Sequence, residues 1–336
     1  MTDREPDPPA ETDDATELTY AEAGVDIDES EAATESLIGA TGGFEGDFAG
    51  LVDIGDRYLA LATDGVGTKL MVAEALGDYS TVGIDCIAMN VNDLVATGIE
   101  PVAFVDYLAV EEPDPATSEQ IGEGLAIGAE LADVALVGGE TAVMPDVIDG
   151  LDIAGTAAGL APKDALFPGE AAVGDAIVGW PSSGIHSNGL TLAREAVTRE
   201  HEYDDPFPPN PETTIGKALL EPTRMYTDVL DPLREHGAHA AGHVTGGGWT
   251  NLTRMGSYHY EIENPFDAQP IFEFVQAAGD VAAEEMHRTF NMGTGFVAAL
   301  DPDDAMQVVE ATTDGRIVGR VAEGTGTVSI RGLELT

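Results

Sequence analysis

Arg57-Tyr-Leu-Ala-Leu-Ala-Thr-Asp-Gly-Val-Gly-Thr-Lys69 decides the fold: a short apolar run delivers Asp64 at its end and passes into a glycine-rich loop. The run reads as a strand over Arg57 to Ala62. Downstream, Ile84 to Thr97 has apolar residues at positions 87, 91, 94 and 95 and stops at Gly98, which predicts a helix with Asp85 near its start and Asn92 and Asp93 within it. Val102 to Val110 then returns as a strand containing Asp106. Strand, glycine loop, helix and returning strand predict an α/β (α+β) chain.

The same stretch carries chemistry. A carboxylate, two glycines and a lysine in one loop, followed by Asn90-Val-Asn-Asp-Leu94, is the set that a magnesium-bound triphosphate requires. Mg²⁺ takes oxygen ligands and usually sits between one or two carboxylates and substrate phosphates, while glycines let backbone N–H groups approach those phosphates. The loop is not a P-loop, because Thr68 precedes Lys69 where that motif has Gly-Lys-Ser/Thr.

Charge is the outlier in composition. Over 336 residues, 14 basic side chains stand against 62 acidic ones, a formal net charge of −48, and lysine occurs only at positions 69, 163 and 217. Such a field repels nucleic acid and anionic membranes, and its self-repulsion calls for salt screening, a pattern associated with halophiles. Apolar residues make up 43% of the chain, enough for packed cores in one large or two ordinary domains. Met1 to Thr19, with seven acids, one arginine and three prolines, reads as an acidic disordered tail. Cys86 is the single cysteine, which excludes an intrachain disulfide and a multi-cysteine zinc site and suits a reducing cytoplasm. The acidic start lacks the basic region and apolar core of a signal peptide, so a soluble, cytoplasmic protein is expected.

Farther along, Pro113 to Thr117 reads as a turn, Ile121 to Leu131 as a helical face, and Val134 to Val137 as a short buried strand running into Gly138-Gly-Glu-Thr141. Leu151 to Leu160 is a small-residue strand, and Pro162 to Gly169 a domain boundary. The second half repeats the grammar. Asp175 to Trp180 is a strand, Leu190 to Glu200 a helix, and His201 to Pro211 a loop. Helical segments follow near Ile215 to Leu220 and over Met225 to His236, interrupted by Pro232. Ala240 to Val244 is a strand, Gly246-Gly-Gly248 turns into a helix, Gly279 to His287 is helical, and Phe296 to Leu300 is a strand.

In order along the chain stand Tyr20-Ala-Glu-Ala-Gly-Val-Asp-Ile-Asp28, Thr63-Asp-Gly-Val-Gly-Thr-Lys-Leu70, Gly83-Ile-Asp-Cys-Ile-Ala-Met-Asn-Val-Asn-Asp93 and Gly138-Gly-Glu-Thr-Ala-Val-Met-Pro145. Ser182-Ser-Gly-Ile-His-Ser-Asn-Gly189, Leu220-Glu-Pro-Thr-Arg224, His243-Val-Thr-Gly-Gly-Gly248 and Arg288-Thr-Phe-Asn-Met-Gly293 follow. With these motifs the chain resembles the aminoimidazole ribonucleotide synthetase (phosphoribosylformylglycinamidine cyclo-ligase) family of purine biosynthesis. The resemblance implies a two-domain fold, with an N-terminal ATP-binding and dimerisation domain over 20–164 whose sheet pairs in a homodimer, and a C-terminal α/β domain over 165–336. It implies ATP and Mg²⁺ as cofactors, with K⁺ a further candidate cation, and formylglycinamidine ribonucleotide as the small-molecule substrate.

Within that frame Asp64 and Asp93 are the expected metal ligands, with Asp106 and Glu140 as further candidates. Gly65, Gly67, Thr68, Asn92, Gly139, Asn188, Thr245, Gly246, Asp26 and Asp28 are expected to bind ATP or phosphate. Lys69 is expected to meet an anion. His186 and His243 are the candidate acid and base, because histidine is poised near neutral pH, and His287, Arg288 and Asn291 are outlying contacts. Cys86 reads as a packed residue rather than a nucleophile. One departure from the family is plain: no basic residue lies between Arg4 and Arg57. The alternatives are a small-molecule kinase of the same superfamily and a non-catalytic nucleotide-binding protein.

Overall fold

The computed structural model describes residues 18–25, 32–34, 36–37 and 48–336. Asp26, Asp28 and residues 1–17 of the expected tail lie outside the described residues. Leu18, at the end of that tail, is buried.

The first half is built on five strands: β1 (Gly50–Asp53), β2 (Arg57–Gly65), β3 (Glu100–Val110), β4 (Ala135–Val143) and β5 (Leu151–Pro162). They lie in the order β1-β2-β5-β3-β4, antiparallel except for the parallel pair β3 and β4. The parallel pair needs a crossover, which the Pro115–Ala132 helix supplies. Register places the site: Asp64 on β2 and Asp106 on β3 both lie opposite Gly155 on the intervening β5. Directly paired residues share a face, so both carboxylates look toward the side carrying Ala62, Phe104 and Ala157. The Val82–Ala96 helix packs across that side and buries Ile87, Val91 and Leu94. A side chain on Gly155 would run into the Phe104 ring, so only glycine fits between the two acidic positions. The opposite face shows exposed Leu61, Val105 and Tyr107.

The second half is a seven-stranded sheet in the order β14-β13-β10-β12-β6-β11-β9. Its members are β6 (Ala176–Pro181), β9 (Ala240–His243), β10 (His259–Ile262), β11 (Thr294–Leu300), β12 (Arg316–Ala322), β13 (Thr327–Ile330) and β14 (Leu333–Leu335). β11 is buried along its whole length, and Phe296 on it meets Trp180 on β6 edge to face at 6.0 Å. A hairpin of β7 (Pro206–Phe207) and β8 (Asn210–Thr214) stands apart.

Several local expectations change. Of the Val134–Val137 run only Val134 is buried: Ala135 to Val137 are exposed and open β4, an edge strand with one neighbour among the described residues, and Gly138 to Thr141 continue that strand. The expected turn at 113–117 is largely the start of a helix, with Asp114 capping it by accepting a bond from the Thr117 N–H at 2.9 Å and proline in the first turn. The loop expected over 201–211 runs into the β7–β8 hairpin. Pro232 does not interrupt its helix, Leu230–Glu235, since it sits in the first turn, where no N–H is needed. Helix Pro270–Gly279 and strands β10, β12, β13 and β14 have no counterpart among the expected elements, and the segment expected over 279–287 is the end of one helix and most of another, Ala283–Thr289.

Candidate active site

The site forms where the Val82–Ala96 helix meets both halves of the chain. Asp93 and Asn92, adjacent on the helix, hold the same imidazole from two sides. The His243 Nδ1 is 3.3 Å from Asp93 Oδ1, and its Nε2 is 3.4 Å from the Asn92 side-chain amide. With the amide donating to Nε2, the ring proton sits on Nδ1 and points at Asp93. His243 is wholly buried at the end of β9, while Asp93 keeps 21% of its side chain exposed. Asn90, one turn back, donates to the Asp64 carbonyl at 3.1 Å and to that of Cys86 at 2.8 Å, fixing the end of β2 against the helix.

Asp64 lies within reach of the Asp93 charge. Its carboxyl is pushed up to about 6, first by crowding protein atoms that exclude water and then by repulsion from Asp93, while the Gly65 N–H and His243 pull it down. The Asp64 side chain is nevertheless exposed, so its carboxyl is crowded by protein on one side and open to solvent on the other. Two carboxylates that repel each other thus stand at the end of the glycine loop, with the His243 imidazole beside Asp93.

His186 is placed differently from an exposed loop histidine. It is 1% exposed, with φ at +67°, a left-handed backbone that non-glycine residues rarely adopt. Its Nε2 accepts the Ser183 N–H at 3.1 Å and faces the Arg224 N–H at 3.5 Å. Because both donors are backbone N–H groups, the proton is on Nδ1, which has no hydrogen-bond partner among the described residues. Burial holds the ring well below its ordinary pKa, with the His243, Lys69 and Arg224 charges acting the same way, so it is neutral near pH 7. The two imidazoles stand 6.4 Å apart. Asn291 pins the loop, donating to the Gly184 carbonyl at 2.9 Å and the Ile185 carbonyl at 3.3 Å. Asn188 and Gly246 face each other across the gap between this loop and the glycine turn. Thr245 is held by Asn251, whose amide lies 3.4 Å from its hydroxyl.

Lys69 departs from its expected place. It is fully buried, its Nζ 2.8 Å from Asp85 Oδ2 and 2.7 Å from the Glu221 carbonyl, so the anion it meets is a carboxylate of this chain rather than a phosphate. Thr68 beside it bonds Thr191 at 2.9 Å, and Gly67 is exposed with φ at +68°. Asp106 shares the Asp64 face with β5 between them, and burial raises its pKa. Gly139 lies opposite Asp106, which puts the next residue, Glu140, on the other face beside Tyr107. Glu140 is therefore not gathered with Asp64 and Asp93. Among the described residues no three His, Cys, Asp or Glu side chains cluster to hold a metal. His287 is buried and donates from Nδ1 to the Ala283 carbonyl at 2.7 Å, and Arg288 bonds Thr336 at 2.7 Å; both bonds lead away from the two imidazoles.

Sequence reasoning passes over Asp85, Thr223, Arg224 and Tyr226. Tyr226 donates its backbone N–H to Asn92 Oδ1 at 3.0 Å, and its ring packs 6.2 Å from His243. The Leu220-Glu-Pro-Thr-Arg224 motif is the available signal, but nothing local says what it touches. A cavity of about 400 Å³ lined by Glu74, Tyr79, Glu111 and Asp114 contains none of these site residues.

Fold and site together define a two-sheet protein with an acidic, imidazole-bearing seam. Family models described as AIR synthase related protein match the chain, the N-terminal domain over residues 46–161 and the C-terminal domain over 172–331. The chain belongs to that family. Among its relatives, a phosphoribosylformylglycinamidine cyclo-ligase of Methanosarcina acetivorans is 48% identical over 318 residues, covering 91% of this chain and 95% of the relative. Another of that name, from Thermococcus kodakarensis, is 46% identical over 325 residues, covering 90% and 96%. Among solved structures, thiamine monophosphate kinase from Aquifex aeolicus superposes with a TM-score of 0.66 at 17% identity, covering 93% of this chain and 99% of that one. A HypE–HypF complex gives a TM-score of 0.64 at 18% identity, covering 90% and 98%. At such identities the likeness concerns the fold.

Proposed function

We propose that this chain is an ATP-dependent cyclo-ligase that converts formylglycinamidine ribonucleotide to aminoimidazole ribonucleotide, releasing ADP and phosphate, in purine biosynthesis. The observation that carries the reading is the Asp64–Asp93 pair beside His243, in a chain whose relatives of that name match over nine-tenths of its length. The substrate's formyl oxygen takes the γ-phosphoryl group and departs within phosphate, while the amidine nitrogen closes the five-membered ring. Catalysis of phosphoryl transfer is mostly positioning and charge neutralisation, and the reaction needs no nucleophile from the protein.

Asp64 and Asp93 are the residues that fit Mg²⁺, since a hard cation offsets both the burial and the repulsion from Asp93 that raise the Asp64 pKa. Bound there, it would neutralise charge on phosphate oxygens. Asp93 orients His243, whose Nδ1–H is turned to that carboxylate. His186, neutral with an unpartnered Nδ1–H, offers a donor to an acceptor that forms during ring closure. The exposed face with Leu61, Val105 and Tyr107 is the surface we assign to pairing with a second copy, a homodimer through the first sheet. No helix among the described residues is long and apolar enough to cross a membrane, in keeping with a cytoplasmic enzyme.

The test is an assay of aminoimidazole ribonucleotide formation with Mg²⁺ and ATP in concentrated KCl. Product in step with ADP is expected; ATP turnover indifferent to the ribonucleotide would refute the reading. The net charge of −48 calls for salt: the melting temperature is expected to rise from dilute buffer to about 1 M KCl, where the screening length is only about 3 Å. A melting temperature that ignores salt would remove the halophilic reading.

A further inference from the structure

Asp85 and Asn92 lie seven residues apart on the Val82–Ala96 helix, so they share one face, about 10 Å apart along the axis. Both grip the same segment of the second half. Asp85 Oδ1 accepts the Thr223 N–H at 2.8 Å, the Thr223 hydroxyl at 2.6 Å and the Lys69 ammonium at 2.9 Å. Lys69 in turn donates to the Glu221 carbonyl at 2.7 Å. Two turns on, the Asn92 amide donates to the Arg224 carbonyl at 2.9 Å, and its oxygen receives the Tyr226 N–H at 3.0 Å. Between these grips sits the Arg224 N–H that faces His186 Nε2, and Asn92 is also the residue that reaches His243.

We propose that the Lys69–Asp85 ion pair, acting through Thr223, is a positioning device that clamps the Leu220–Tyr226 segment to the helix and so sets both imidazoles in place for turnover. Stability alone does not call for it. A buried ion pair is weak evidence for stability, because an apolar pair of similar volume is often as good. What an apolar pair lacks is direction: it has no acceptor for the Thr223 N–H and hydroxyl, and no donor for the Glu221 carbonyl. The inference rests on the proposed reading that these histidines serve turnover.

The test uses the full chain as Lys69→Met/Asp85→Leu, alongside Thr223→Val and Thr223→Ser. The double variant is expected to fold, melting lower because the Thr223 N–H and hydroxyl and the Glu221 carbonyl lose their partners, and to lose kcat by about 10²-fold, the cost of a misplacement near 1 Å, with KM for both substrates little changed. Its His186, read by ¹⁵N NMR of the imidazole, is expected to lose the single Nδ1–H tautomer. Thr223→Val should show the same split in smaller measure, and Thr223→Ser, which keeps the hydroxyl, should restore kcat. A stable double variant with wild-type kcat would overturn the proposal, as would equal kcat in the Val and Ser variants. Should the wild type itself make no product, the proposed function falls, and the ¹⁵N spectra still decide: an unchanged His186 signal in the double variant overturns the clamp.

Discussion

The two ends of the Val82–Ala96 helix treat a carboxylate in opposite ways. At its first turn Asp85 is sealed from water and answered on the spot by Lys69 and Thr223. Near its last turn Asp93 keeps a fifth of its side chain exposed and faces another acid, Asp64, with only the His243 imidazole on the other side. The first arrangement is satisfied without help and belongs to the architecture. The second is under-compensated, and it is on this that the proposed cation site rests.

The largest expected effect on turnover tests the open end. Asp93→Asn and Asp64→Asn should each cost about 10²-fold or more in kcat, at least what removing one electrostatic group from an active site costs, with an unchanged circular dichroism spectrum. Wild-type turnover in either folded variant would erase the distinction between the two ends. Losing one partner of the sealed pair should show in stability as well. Asp85→Asn leaves Lys69 buried without its counter-charge, and we expect a loss of about 3–5 kcal/mol in urea unfolding. A loss no larger than that of an ordinary surface substitution would mean that Lys69 is not sealed.

Much of this contrast is legible in the sequence, and part of it is not. The helix bounds follow from apolar spacing and the stop at Gly98, and the strand delivering Asp64 follows from its apolar run. Lys69 is misleading because a lysine in a glycine loop looks the same whether it meets phosphate or carboxylate. What decides is Asp85 sixteen residues on and Thr223, which bonds Asp85 from 138 residues away, and no local pattern encodes that contact. Glu140 falls among the metal candidates as long as the strand is read as ending at Val137. In a strand, alternation turns Glu140 away from Asp64 and Asp106. The β4 run reads as buried because its residues are apolar, but an edge strand of an unpaired sheet face leaves them exposed.

Acidity sharpens the comparison more finely. The Asp64 carboxyl is raised from 3.8 to about 6 in the folded protein, so folding favours its protonated form. That contribution to stability is complete at pH values below 3.8 and is lost as the pH rises through about 6. Comparing melting temperatures of the wild type and Asp64→Asn from pH 4 upward should therefore show the wild type losing ground to the variant up to about 6, and Mg²⁺ should narrow the gap. Parallel curves would mean that neither burial nor Asp93 perturbs the Asp64 carboxyl. The smallest effect belongs to the residue next to Asp85. Cys86 is buried with its thiol pushed far up by burial, so Cys86→Ala should keep its activity and cost about 1 kcal/mol. Loss of turnover in that folded variant would bring a thiol back into the mechanism.

The account rests on the open end holding ATP and the ribonucleotide so that one oxygen passes between them. Formylglycinamidine ribonucleotide carrying ¹⁸O in its formyl group, turned over once with ATP by the wild-type protein, measures this directly. The expected result is aminoimidazole ribonucleotide formed together with phosphate that carries the label. Unlabelled phosphate, with the heavy oxygen released into water, would contradict it even if the cyclised product appeared.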